Sequence, residues 1–254
     1  MSDHDHNKTA SLNMRLRIFT ALAFIPVVLL LLNGGTMAVM ICLIIGAAMA
    51  YEAVTVTGRS IHNPLGLAQA MMLMFPAILV ALPQSVHAIV PPFYMLGVVI
   101  VGLALTGRDL SAKVLMIILA TCLFGLINIV LLDQGIKWLL LAVASVAAAD
   151  SAAYFGGRTI GGPKLAPMIS PSKTWSGAIC GVSAGGIAGF AVGLIFGFSP
   201  TIAALAGLFI ADLSIGGDLL ESWFKRRHSV KDSGHFLPGH GGFLDRFDGY
   251  LLVI

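Results

Sequence analysis

Residues 114–132 read VLMIILATCLFGLINIVLL, nineteen positions without a charged side chain, closed by Lys113 before them and Asp133 after. A helix needs ~20 predominantly apolar residues to cross a bilayer. In lipid the backbone groups must find partners within their own segment, which a helix provides. Alternating segments of the β-barrel type are absent from the chain. Worked outward, the same reading applies to a chain of 254 residues that is 57% hydrophobic, against roughly 45–50% for soluble domains. Apolar stretches near 16–32, 36–54, 66–82, 88–105, 114–132, 137–154, 174–198 and 201–220 predict eight spans. The expected fold is all-α, a polytopic transmembrane helical bundle.

The basic residues orient it. With the N-terminus in the cytoplasm, the inside segments hold Lys8, Arg15, Arg17, Arg59, Arg108, Lys113, Arg158, Lys164, Lys173, Lys225, Arg226, Arg227, Lys231 and Arg246. That is 14 of the 15 Lys and Arg, and only Lys137 falls outside. So lopsided a distribution is a strong positive-inside signal. Adding or removing one span before residue 155 would scatter it. Residues 1–11, MSDHDHNKTAS, predict a solvated, disordered tail. The apolar core that follows is too long for a cleavable leader.

Cys42, Cys122 and Cys180 fall in separate spans and read as small buried hydrophobes, with neither a disulfide framework nor metal spacing. The net charge of +3 is modest, but its placement on one face suits anionic headgroups or nucleotides. No basic patch interleaved with aromatics occurs, which points away from nucleic acid.

The chain divides into N-terminal transmembrane helices, 1–140, and a C-terminal membrane region, 141–254, with polar cytoplasmic loops at 155–173 and 221–248. No internal repeat of the transporter type is present. In the first region only Glu52 is an ionisable group near membrane depth. A functional carboxylate and an interfacial, structural one both fit it. Glycines at 177, 181, 185, 189, 193 and 197 place a small residue every four positions, the pattern of a helix packed closely against its neighbours.

Three constellations of the second region carry chemistry. From Asp150 to Trp175 the chain reads DSAAYFGGRTIGGPKLAPMISPSKTW. Asp150 and Tyr154 share a helix face, and the loop then supplies Arg158, Lys164 and Lys173 among glycines, which is how proteins cradle phosphates. It is neither a dinucleotide fingerprint nor a P-loop. Asp218, Glu221, Ser222 and Lys225 share one face of the eighth helix where it leaves the membrane. Asp212 lies off that face and reads as a separate, structural carboxylate. From Pro238 to Asp248, PGHGGFLDRFD presents His240 on a tight glycine loop. Asp245 and Asp248 are three apart at the start of the next helix, with Arg246 between them. Paired carboxylates with an arginine fit Mg²⁺ coordination and phosphate clamping. His240 fits either a base or a donor to phosphate.

From Ser222 to Asp248 the chain reads S-x-F-K-R-x4-K-D-x-G-x2-L-P-G-H-G-G-x-L-D-R-x-D. This run resembles the signature of the phosphatidate cytidylyltransferase (CDP-diacylglycerol synthase) family. The GDLLES run from Gly217 and the Asp150–Trp175 elements are similar to that family as well, so the resemblance covers at least residues 145–248. It implies transfer of a cytidylyl group from CTP to phosphatidate, with Mg²⁺ required and pyrophosphate released. The family's metal-holding carboxylates carry over to Asp218 and Asp245, with Asp150 and Asp248 as supporting ligands and a second cation beside them. His240 joins these four as a catalytic candidate. Arg158, Lys164, Lys173, Ser222, Lys225, Arg226, Lys231, Gly241, Gly242 and Arg246 are expected to line the substrate site. The resemblance also implies a homodimer, a bacterial cytoplasmic membrane, and a further transmembrane helix after Asp248. Only Gly249 to Ile254 follow, about 9 Å as helix, so that ninth span reads as either truncated or absent. Two rival readings are an enzyme acting on another lipid phosphate or lipid alcohol with CTP, and a membrane transporter.

Overall fold

Runs of Leu, Ile, Val, Ala and Gly without charge form helices here, and five are long and apolar enough to cross a membrane. The protein was analysed as a computed structural model that describes residues 35–58, 62, 66–68, 70–71, 97, 100, 109–234 and 241–254. In chain order these give α1 (Gly35–Val56), α2 (Leu110–Leu131), α3 (Gly135–Thr159), β1 (Lys164–Ala166), β2 (Ser170–Thr174), α4 (Trp175–Phe196), α5 (Pro200–Arg227) and α6 (Leu244–Phe247). A 3₁₀ turn, Asp248–Tyr250, closes the series. The five long helices answer to the expected spans at 36–54, 114–132, 137–154, 174–198 and 201–220. The spans expected at 16–32, 66–82 and 88–105 fall wholly or largely outside the described residues, as does the 1–11 tail.

Two expectations need correction. The all-α reading missed an antiparallel hairpin, β1–β2, that pairs Lys164 with Thr174 and Ala166 with Ser170. It lies where a loop was expected over 155–173. The helix before it also runs further, to Thr159, and the chain turns only at Gly161 and Gly162, whose φ values of +68° and +104° suit glycine. The second expected loop, 221–248, likewise begins late. Nothing in SWFKRR breaks a helix, so α5 runs on to Arg227 and stops where Ser229 takes φ 55°. Its last turn carries Lys225, Arg226 and Arg227, cations that complement the negative end of the helix dipole.

The glycine-lined helix packs as its spacing predicts. Gly181 of α4 lies against the backbone of Ala149 and the side chain of Ala153 in α3. On its other side Gly185 and Gly189 meet Gly207 of α5, so α4 sits in backbone contact with both neighbours.

The ends of the bundle are chemically distinct. At one end Lys137 of α3 donates to the Phe196 carbonyl closing α4 at 3.5 Å, and Trp138 stacks on Phe198. At the other end the C-terminus of α1, the N-terminus of α2, the hairpin, the end of α5 and the terminal segment meet. A buried cluster there includes Met49 and Ala53 of α1, Leu115 and Met116 of α2, and Phe224 of α5, with Leu244 and Leu251 closing it. The polar segment after α5 is thus tied to the bundle by its own apolar residues.

Asp109 marks the start of α2 at this end. Its carboxylate accepts from the Ser111 and Ala112 amides at 3.0 and 3.2 Å, an N-cap, and pairs with His228 at 3.3 Å. Burial opposes its ionisation, but the Ser111 hydroxyl, the Ala112 amide and His228 outweigh it and hold the carboxyl below its ordinary 3.8. A depressed carboxyl pKa contributes stability above the unfolded value, lost as pH falls through the folded one. Asp109→Ala is therefore expected to lower stability by ~0.5–2 kcal/mol, the scale of an N-cap. In thermal unfolding in detergent, its deficit against wild type should shrink as pH falls below 3.8.

Candidate active site at one end of the bundle

Four elements bring the polar residues together: α3 leads into the hairpin, the hairpin packs on α5, and the 3₁₀ turn lies against α5. The hairpin is fixed at its base. The Thr174 hydroxyl caps α4 by accepting from the Gly177 amide at 3.2 Å, the Trp175 amide donates to the Pro163 carbonyl at 3.1 Å, and the Ser176 hydroxyl donates to the Gly161 carbonyl. Its tip is held by Arg226, whose Nε donates to the Ile169 carbonyl at 3.4 Å.

The helical face expected at the end of α5 is present but divided. Asp218 and Ser222 form one pair, the hydroxyl donating to Oδ1 at 3.3 Å, and Asp218 also forms an ion pair with Lys173 of β2. Glu221 and Lys225 form the other pair at 2.5 Å, with the Glu221 side chain fully buried. Lys225 then reaches Asp245 of α6 at 2.9 Å. One face of one helix thus serves two separate polar groups.

The first group is acidic. Asp150 of α3 lies within electrostatic range of Lys173 and Asp218, and Asp248 feels both Asp218 and Asp150. Burial, then the Asp218 charge, pushes the Asp248 carboxyl up to about 7, against the Gly249 amide that bonds it at 2.7 Å. Burial, followed by Asp150 and Asp248, pushes the Tyr250 hydroxyl up to about 12. Among the described residues, the cation closely paired within this group of three carboxylates is Lys173, on Asp218.

The second group is bonded from within. Oδ1 of Asp245 accepts from Lys225 and Oδ2 from the Gly242 amide at 2.8 Å, while the Ser233 amide bridges both oxygens at 3.2 and 3.0 Å. Gly241 makes the turn possible with φ +86°. Burial works against ionisation of Asp245, yet the Lys225 and Gly242 donors overcome it and hold the carboxyl down to about 2. Asp245 and Asp248, expected to share a face, bond different partners: Asp245 takes Lys225, Ser233 and Gly242, and Asp248 the Gly249 amide.

The remaining candidates distribute as follows. Arg158, Lys164, Arg226, Lys231 and Arg246 are exposed at this end, with Arg158 donating to the Tyr154 hydroxyl at 3.0 Å. Gly242 is buried. His240 lies outside the described residues. Asp212 is exposed on α5. Glu52, for which two roles were open, is engaged: it is 1% exposed and accepts bonds from the segment 233–244. Among the described residues no three His, Cys, Asp or Glu side chains lie close enough to hold a metal ion by themselves.

A bundle of helices long and apolar enough to cross a membrane, with acidic and basic side chains gathered at one end, defines the class as a membrane protein with a polar surface site. The cytidylyltransferase family profile matches residues 15–254, and the chain belongs to that family. It is 35% identical over 193 residues to the phosphatidate cytidylyltransferase of Rickettsia bellii (strain RML369-C), covering 69% of this chain and 84% of that protein. It is 47% identical over 119 residues to the phosphatidate cytidylyltransferase of Brucella suis biovar 1 (strain 1330), covering 45% of this chain. That matched stretch spans 43% of the Brucella protein's length.

Proposed function

We propose that the protein transfers the cytidylyl group of CTP to phosphatidate, giving CDP-diacylglycerol and pyrophosphate. The observation that carries this reading is the meeting of Asp150, Asp218 and Asp248 with Lys173, at the end of the bundle that also presents Arg158, Lys164, Arg226, Lys231 and Arg246. Family membership and relatives named as phosphatidate cytidylyltransferases support it.

In the proposed reaction a phosphate oxygen of the lipid attacks the α-phosphorus of CTP. The new P–O–P bond forms as the bond from the α-phosphorus to the bridging oxygen of the β-phosphate breaks, and the electron pair leaves with pyrophosphate. The attacking group is already an anion, so no strong base is needed, and positioning and charge neutralisation dominate. The exposed cations draw the triphosphate to this end, and Lys173 is placed to meet phosphate oxygens beside Asp218.

The acidic group suits Mg²⁺, with hard oxygen donors and more negative charge than Lys173 offsets. Mg²⁺ is commonly held by one or two carboxylates and completed by substrate phosphates, so a preformed three-carboxylate cage is not required. Asp218 and Asp248, with Asp150 beside them, would hold it, and there it would neutralise charge on the triphosphate. Asp245 keeps its place near the site as the carboxylate that fixes the segment carrying Arg246 and Asp248.

The reading includes eight spans with the site and N-terminus at the cytoplasmic face of a bacterial membrane, and a homodimer that rests on family resemblance alone. The end of α1 and the start of α2 both meet residues 228–244. Both therefore lie at the same end of the bundle, as the eight-span reading requires. The test is incorporation of radiolabelled CTP into lipid by the full chain in detergent. Label should appear in CDP-diacylglycerol with phosphatidate and Mg²⁺, and vanish without either. Labelling of another lipid phosphate but not phosphatidate would overturn the substrate, and no labelling would overturn the activity.

A further inference from the structure

Glu52 stands 181 to 192 positions before the groups it contacts. It sits in the last turn of α1, and its carboxylate accepts from three donors of the segment after α5. The Phe243 amide donates to Oε1 at 3.0 Å, the Leu244 amide to Oε2 at 2.8 Å, and the Ser233 hydroxyl to Oε2 at 3.2 Å. The fit is close on the backbone side. A methyl group added to Gly242 would press on Oε2 and on the Ser233 hydroxyl, and one added to Gly234 would press on Oε1. The carboxylate therefore grips both ends of the segment 233–244 at once.

The same residues form the other polar anchorage of this segment. Ser233 and Gly242, which flank Glu52, also donate their amides to Asp245. Two carboxylates, one from α1 and one from α6, thus share one short stretch of backbone, and Arg246 and Asp248 follow directly. Phe243 and Leu244 place Leu244 in the buried cluster against α1 and α2. Among the described residues no cation pairs with Glu52; its carboxylate is met by hydrogen-bond donors, and hydrogen bonds to a charged acceptor are about twice as strong as neutral ones.

We propose that Glu52 is a positioning residue for cytidylyl transfer: it seats the segment 233–248 so that Arg246 and Asp248 face the site formed by α3, β2 and α5. It touches neither substrate and acts through Phe243, Leu244 and Ser233. The proposal rests on the cytidylyl-transfer reading for its kinetic consequence, while the anchoring itself is independent of that reading. Glutamine is the informative replacement. It preserves size but offers one acceptor oxygen and turns an amide N–H₂ toward a backbone N–H, so at least one donor loses its partner.

The experiment compares wild type with Glu52→Gln as full chains in detergent, by hydrogen–deuterium exchange and by steady-state kinetics. Exchange at Phe243 and Leu244 should rise about 10- to 100-fold, the scale of losing hydrogen bonds to a charged acceptor, with α4 unchanged. The turnover number should fall by about tenfold or more while KM for CTP moves little, because the loss is one of geometry. Unchanged exchange at these two amides overturns the proposal, as does released exchange with unaltered turnover. Should Glu52→Gln fail to fold, Gly234→Ala presses on the same carboxylate from the loop and must give the same rise in exchange. If wild type shows no cytidylyl transfer, the function reading fails while the exchange result still decides whether Glu52 anchors the segment.

Discussion

Asp218→Asn is expected to abolish most cytidylyl transfer, with a loss of about 10²–10³-fold or more in turnover, the scale of deleting one preorganised electrostatic partner. Three features place the effect there. Asp218 pairs with Lys173, accepts from Ser222, and lies in electrostatic range of Asp150 and Asp248. Asparagine keeps the shape and one acceptor oxygen but removes the charge that both Lys173 and a bound cation need. The neighbouring carboxylates then repel one another less, so folding should be nearly unaffected and thermal unfolding in detergent should stay close to wild type. Turnover with phosphatidate and labelled CTP, measured across a range of Mg²⁺ concentrations, checks the point. Near-normal turnover at ordinary Mg²⁺ would remove Asp218 from the site. A loss restored by raised Mg²⁺ would place its main contribution in holding the ion.

Much of this arrangement was readable along the chain because lipid leaves few options. Charge-free runs can only be helices, and the small residue every four positions in 177–197 can only serve close packing, as Gly185 and Gly189 against Gly207 show. The spacing of Asp218, Glu221, Ser222 and Lys225 correctly put them on one side of a helix. What spacing does not carry is the direction of each side chain within that side. Asp218 and Glu221 differ by three positions, enough for one to face the hairpin and the other α6. The hairpin was hidden for a different reason. SPSKT has little of the β-branched and aromatic character of strands, and it pairs because Gly161, Gly162 and the Thr174 cap fix its ends. Glu52 marks the firmest limit, since a partner nearly two hundred positions away leaves no local pattern.

Lys225→Met is expected to be the most destabilising single change at this end. Lysine was expected to contact phosphate, yet its ammonium is already engaged by Glu221 at 2.5 Å and Asp245 at 2.9 Å. The side chains of Glu221 and Asp245 are 0% and 7% exposed, and that of Lys225 is 17% exposed. Methionine fills the same volume and removes only the charge, leaving two buried carboxylates facing each other. Breaking a buried ion pair on one side costs ~3–5 kcal/mol, because the remaining charge has neither water nor partner. Here one cation serves two buried carboxyl groups, so the upper part of that range is expected. Thermal unfolding in detergent should show it as a large fall in Tm. Adding Glu221→Gln to the same chain removes one of the two stranded carboxyl groups and should recover part of the loss. A single variant that melts with wild type, or a double variant no better than the single, would mean that Lys225 is free of these carboxylates and available to substrate. The predicted recovery would instead assign Lys225 to the frame that holds α5 against α6, leaving phosphate to Lys173 and the exposed cations around it.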